Sequence, residues 1–254
     1  TIISQFVSFI IILLKILNNV RIRNITKEHL LPKFLFFKNI FFQSMPITVS
    51  ICGYALAAAI IFTYVGQSGE YAVAGYGVGT RIEQVVLLPI LGINTAIISI
   101  IAQNYGANNI YRIKETYFTA IKYAFLIMIT AGALVFLSAS VITSFFSNDP
   151  EVIEYGKRYL KISAFVLPAY PVFFLSNGCF MALKKSENAM ISNFFRNVLN
   201  PIVVFYIAKH IGASFETFFW IWVCINWFFS ICYFFVIIYY FKVKLNKSGA
   251  VVHP

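Results

Sequence analysis

Residues 76–104 read YGVGTRIEQVVLLPILGINTAIISIIAQN. As a helix this run would rise about 43 Å at 1.5 Å per residue, more than the roughly 30 Å of a bilayer's hydrocarbon core. It carries two ionisable side chains, Arg81 and Glu83, both near its N-terminal end. The rest is mostly apolar, with Gln84 and Asn94 as isolated amides and Gln103 and Asn104 at its end, which predicts a helix solvated by lipid or by other helices rather than by water.

Outward from this run the same pattern repeats. Apolar segments cover 1–19, 40–65, 117–146, 157–182, 188–209 and 217–241. Hydrophobic residues make up 60% of the chain and charged ones 11%, and the mean hydropathy is +0.80. That leaves too little polar surface to cover a soluble globule of 254 residues. The expected fold class is all-α, a polytopic bundle of six complete transmembrane helices with the end of a seventh. The organisation expected is the end of a transmembrane helix at 1–19, a basic amphipathic cytoplasmic linker at 20–39, the helical bundle at 40–245 and a tail at 246–254.

The net charge of +11 does not point to nucleic acid, because the basic residues sit between apolar runs and not on one folded face. With Lys122 counted at the flank of 105–116, thirteen Lys and Arg belong to the connections 20–39, 105–116 and 183–187 and to the stretch after segment 217–241, against four on the opposite side: Lys157, Arg158, Lys161 and Lys209. The positive-inside rule then puts the first group, and the C-terminus, in the cytoplasm, as expected of a multi-pass protein of the cell membrane. Trp220 and Trp222 at one end of the last segment and Tyr239 and Tyr240 at the other fit two aromatic belts.

No HExxH, Ser/His/Asp or paired-carboxylate pattern is present, and His29, His210 and His253 lie outside the apolar segments, so an enzyme is not expected. The run GYGVG at 75–79 lacks the strand before it and the GKS/T after it that a phosphate loop needs; close helix packing is its expected role. Cys52, Cys179, Cys224 and Cys232 have no metal spacing and read as structural thiols. No cofactor is expected.

Function in such a chain is sought at polar groups inside the apolar segments, where each costs insertion free energy. Arg81 and Glu83 point about 200° apart on a helix and cannot pair. Each needs a partner on another helix, as a structural bridge, or a hydrated cavity. Glu83, with Gln84 beside it, shares a face with Asn94 across Pro89, whose missing N–H frees a carbonyl. Acid, amide and carbonyl together would suit a cation or proton. A second cluster is Arg196, Asn197 and Asn200 before Pro201, where snorkelling to the inner interface is the plainer role for Arg196. Gln43 and Asn177 complete the candidates.

The run VAGYGVGTRIEQVVLLPILGINTAIISIIAQNYGANNIYRIKE, 73–115, resembles the eighth helix and following cytoplasmic loop of the multidrug and toxic compound extrusion (MATE) family, with QNYGANN at 103–109 as its signature. The run SNGCFMALKKSENAMISNFFRNVLNP, 176–201, resembles the passage from the tenth to the eleventh helix. The resemblance implies one lobe, the C-terminal one, of a two-lobe transporter whose N-terminal lobe is missing from this chain. It implies export of small amphipathic or cationic compounds by alternating access, with protons or sodium as coupling ion and membrane lipid as surroundings. Segments 40–65 and 157–182 carry no acid, so the pattern is closer to the DinF-like than to the NorM-like branch. A flippase for lipids or polysaccharide precursors and a non-transporting membrane scaffold are the alternatives.

Overall fold

The computed structural model describes the backbone of residues 2–17 and 34–245. Most of the expected basic linker and the tail at 246–254 lie outside the described residues. The chain divides into two compact units, residues 1–45 and 46–254. The first holds α1 (Ile2–Leu17) and the opening turns of α2 (Phe34–Gly66). The second is a helical bundle in which α2 is followed by α3 (Glu70–Gly106), α4 (Ile110–Ser144), α5 (Pro150–Ser163), α6 (Tyr170–Ala182), α7 (Ser186–Phe194), α8 (Asn200–His210) and α9 (Phe215–Tyr239). The described residues contain no strand.

Several helices begin before their apolar runs, because polar caps satisfy their first N–H groups. The Asn109 side chain accepts from the Arg112 N–H at the start of α4, and the Asp149 carboxylate accepts from the Glu151 N–H at the start of α5, with Pro150 behind it. Asn108 takes the left-handed conformation (φ 56°) in the reversal between α3 and α4. Residues 103–109 are therefore a helix stop, a turn and a helix start in one motif.

Two expected helices are interrupted, each at a proline. Segment 157–182 breaks after Ser163 and resumes at Tyr170 through a short 3₁₀ turn, Leu167–Ala169. Pro168 has no N–H for the Ala164 carbonyl, and α9 side chains tie the break: Trp227 Nε1 donates to the Phe165 carbonyl (2.8 Å) and Ser230 Oγ to that of Ala169 (3.3 Å). Segment 188–209 widens into a π turn at Phe195–Leu199 just before Pro201. By contrast α3 runs unbroken through Pro89.

Among the described residues, four stretches are long and apolar enough to cross a membrane: Glu70–Gly106, Ile110–Ser144, Pro150–Ala182 and Phe215–Val243. Shorter apolar helices cover Ser4–Ile16 and Cys52–Gly66. Large apolar side chains face outward, with Leu137 80% and Phe228 64% exposed, as a lipid-solvated surface requires.

Two glycines of GYGVG, Gly75 and Gly79, admit α5 to close contact with α3. A Cβ at Gly75 would stand 2.7 Å from the backbone nitrogen of Gly156 on α5, and one at Gly79 would overlap the Tyr159 ring. Gly77 and Gly92 face open space. Gly79→Ala and Gly75→Ala are expected to destabilise the fold by about 1–3 kcal/mol through overpacking, whereas Gly77→Ala should not. Thermal midpoints of the purified protein check this, and equal midpoints for all three variants would contradict the close approach.

Candidate functional site

Gly75, Gly79 and Glu83 lie four residues apart along one stripe of α3. The first two admit α5, and the third meets the side chains that this close approach delivers. Tyr159 of α5 donates its hydroxyl to Glu83 Oε2, and Tyr170 of α6 donates to Glu83 Oε1 at 2.5 Å. Eleven residues apart on a straight helix, these tyrosines would sit about 16 Å apart along the axis. The break at 164–169 is what lets both reach one carboxylate.

Both tyrosines are fixed by packing. The Tyr159 ring stands edge-on to Tyr76 (centroids 5.0 Å apart) and to Phe219 (4.9 Å), and Tyr76 stacks on Phe219 at 5.5 Å. Glu83 lies on the wall of a cavity of about 500 Å³ between α2, α3, α5, α6, the π turn and α9. Tyr54, Tyr76, Tyr170, Phe174 and Trp222 supply much of its aromatic lining. Among the described residues Glu83 is the one carboxylate on that wall.

Arg196 projects from the π turn into the same cavity. Its guanidinium lies 4.2 Å from the ring centroid of Phe173, 4.8 Å from that of Tyr170 and 5.4 Å from that of Phe174, all within cation–π range. Snorkelling to the interface is therefore corrected: the side chain turns into the bundle and stacks. Among the described residues Arg196 and Glu83 form no ion pair within 4.0 Å; Tyr170 stands between them, hydroxyl on one and ring against the other.

The sequence candidates thus separate. Glu83, Gln84, Arg196 and Asn197 share the cavity. Arg81 is exposed and does not line it. Asn94 does not join Glu83: its side chain abuts Gly178 of α6, where a Cβ would overlap it, and its buried Oδ1 has no hydrogen-bond partner. Asn177 is the centre of a polar knot, its Nδ2 donating to Asn193 Oδ1 (3.1 Å) and its Oδ1 accepting from Ser192 and Tyr233 hydroxyls (both 2.8 Å). Asn200 is fully buried, with neither amide atom partnered. The Gln43 side chain lies outside the described residues.

Sequence reasoning missed Tyr159, Tyr170 and the aromatic rings around Arg196. The signal present was chemical: a carboxylate within a bundle must find donors, and tyrosines 159 and 170 lie on a stretch that Pro168 interrupts.

A carboxylate with both oxygens accepting, on an aromatic wall, can balance the charge of an organic cation whose apolar body lies against the rings.

Comparison with known proteins gives three consistent results. The MatE family model matches residues 46–207. Among curated relatives, the FAD transporter of Shewanella oneidensis is 26% identical over 158 residues, 62% of this chain and 35% of that one. The multidrug export protein MepA of Staphylococcus haemolyticus is 23% identical over 187 residues, 74% of this chain and 41% of that one. A crystal structure of MATE in complex with MaL6 superposes with a TM-score of 0.80 at 21% identity, covering 88% of this chain and 50% of that one. An outward-facing multidrug resistance MATE family transporter of the MOP superfamily gives 0.76 at 22%, with the same coverage. The chain spans less than half the length of these curated relatives.

If the two tyrosine bonds hold Glu83 as a charged acceptor, Tyr159→Phe should cost about 1.5–3 kcal/mol, the range for hydrogen bonds to charged groups. In a Glu83→Gln background the same change should cost clearly less. A double-mutant cycle on thermal midpoints measures the coupling, and zero coupling would contradict the bond.

Proposed function

Since the chain belongs to the MatE family of membrane transporters, we propose that it forms one lobe of a secondary exporter. The exporter moves amphipathic, cationic compounds out across the cytoplasmic membrane in exchange for protons or sodium. The observation that carries this reading is the Glu83 carboxylate, held by two tyrosine hydroxyls on the wall of an aromatic cavity of about 500 Å³, within the usual range for small-molecule sites.

The physical logic is competition for one negative charge. A bound organic cation is neutralised by Glu83 and covered by rings. A proton or sodium ion arriving at the same carboxylate removes that attraction and favours release. If cation and coupling ion exclude each other there, each is carried on its own half of the cycle, which is antiport. A second lobe, facing this cavity, closes it alternately to either side, as in repeat-built transporters. A flippase for anionic precursors fits less well, because the guanidinium on the wall is covered by three rings and a carboxylate sits nearby.

Glu83→Gln in the full-length protein keeps shape and removes the charge. It should reduce ethidium export from cells at least about tenfold, a loss of roughly 1.4 kcal/mol of interaction, with folded yield near normal. Unchanged export at every pH and sodium concentration would overturn the proposal.

The orientation follows the thirteen-to-four bias in Lys and Arg. In a cysteine-free background, Arg112→Cys and Lys185→Cys should react with a membrane-impermeant maleimide only after permeabilisation. Labelling of either in intact cells would reverse the topology.

A further inference from the structure

Arg196 stands at the junction of two cavities. One is the chamber of Glu83. The other, about 300 Å³, lies between α6, α7, the π turn and α9, where Asn188, Ser192, Cys232 and Tyr233 contribute to its lining. Phe173 and Arg196 line this second cavity too, so a guanidinium and a ring form part of the partition.

What holds the guanidinium in place is unusual for a cation inside a bundle. Its neighbours are three aromatic rings, Tyr170, Phe173 and Phe174; Glu83 lies within electrostatic reach beyond Tyr170, and among the described residues the guanidinium has no ion pair within 4.0 Å. One of those rings carries the hydroxyl that donates to Glu83. Aromatic faces beside a carboxylate form a receptor for a delocalised organic cation, and here the protein's own cation occupies it. The backbone bearing Arg196 is a π turn, a local irregularity of the kind concentrated at functional sites. The second cavity is an open groove walled mainly by Phe173, Ile191, Phe195, Phe229 and Val236, which offers room and two further aromatic faces, with the Asn188 amide as the polar group to receive a displaced guanidinium.

We propose that Arg196 is a tethered stand-in for the substrate: the box of Tyr170, Phe173 and Phe174 is the subsite for an aromatic organic cation, which binds by displacing the Arg196 side chain into the second cavity. This rests on the cationic-substrate reading above and adds the subsite and its resident competitor. A tethered competitor lowers apparent affinity by the fraction of time the subsite is free. It also imposes selectivity, because a small, strongly hydrated ammonium gains less from three rings than a broad delocalised cation that replaces a guanidinium in kind.

The test uses the full-length protein and tetraphenylphosphonium as probe. Cys52 and Cys224, both exposed, and any cysteine outside this chain are replaced by serine, leaving Cys179, which is buried, and Cys232, which is exposed and lines the second cavity. Arg196→Ala and the bulkier Arg196→Met should bind the probe about tenfold more tightly than the parent, as expected if the box is free about a tenth of the time. In the parent, the probe should change the rate of Cys232 alkylation by N-ethylmaleimide, because a guanidinium moving in beside the thiol alters both access to it and its thiolate fraction, and this change should vanish in both variants. Equal or weaker binding by folded variants overturns the proposal, as does the absence of probe binding in parent and variants alike. A Cys232 alkylation rate in the parent that the probe leaves unchanged overturns it without reliance on any change at 196. Glu83→Gln separates the two ideas: if it binds the probe like the parent, the carboxylate's role in the proposed function fails, while tighter binding by the arginine variants still supports displacement.

Discussion

A carboxylate inside a helical bundle is costly unless donors meet it, and in this chain two tyrosine hydroxyls meet both oxygens of Glu83. Much of the architecture follows from making that meeting possible. Gly75 and Gly79 remove the side chains that would hold α5 away from α3. Pro168 interrupts the helix between Tyr159 and Tyr170, so that two residues otherwise far apart along an axis converge on one point. Tyr76 and Phe219 then fix the Tyr159 ring, and α9 closes the break through Trp227 and Ser230.

The same interaction organises the cavity chemically. Tyr170 has two faces of use, its hydroxyl on the carboxylate and its ring against Arg196, so negative and positive groups sit close without neutralising each other in a direct pair. A direct bridge would leave little charge for a ligand. Separated by a tyrosine, the carboxylate remains an acceptor and the guanidinium remains displaceable. The polar knot around Asn177 lies apart from this chemistry and joins α6, α7 and α9, as interhelical hydrogen bonds do in membrane bundles.

The helical class was legible because apolar runs are local properties: 76–104 cannot be other than a long apolar helix. The glycines of 75–79 were legible as packing residues for the same reason. The starts of α4 and α5 were not legible from hydropathy, because the polar caps Asn109 and Asp149 set them well before the apolar runs at 117 and 157. The interruptions were harder to read. Pro89 leaves its helix unbroken whereas Pro168 ends one, and the difference lies in tertiary partners such as Trp227, which no local pattern contains. Glu83 stood out by its cost in an apolar segment. Its pairing with Asn94 did not follow from a shared helical face, because the neighbour opposite each residue decides what it meets: Tyr159 and Tyr170 for one, Gly178 for the other. Arg196 resembled an interfacial anchor in sequence, since the aromatic box that holds it is built largely from another helix.

The central claim is that a cation and a coupling ion compete for Glu83. The most direct measurement is equilibrium binding of tetraphenylphosphonium to the purified full-length protein, across pH at fixed sodium and across sodium at fixed pH. Mutually exclusive binding at one carboxylate predicts that apparent affinity falls in one of the two series, approaching about tenfold per tenfold rise in the competing ion. An affinity indifferent to both ions would contradict the account.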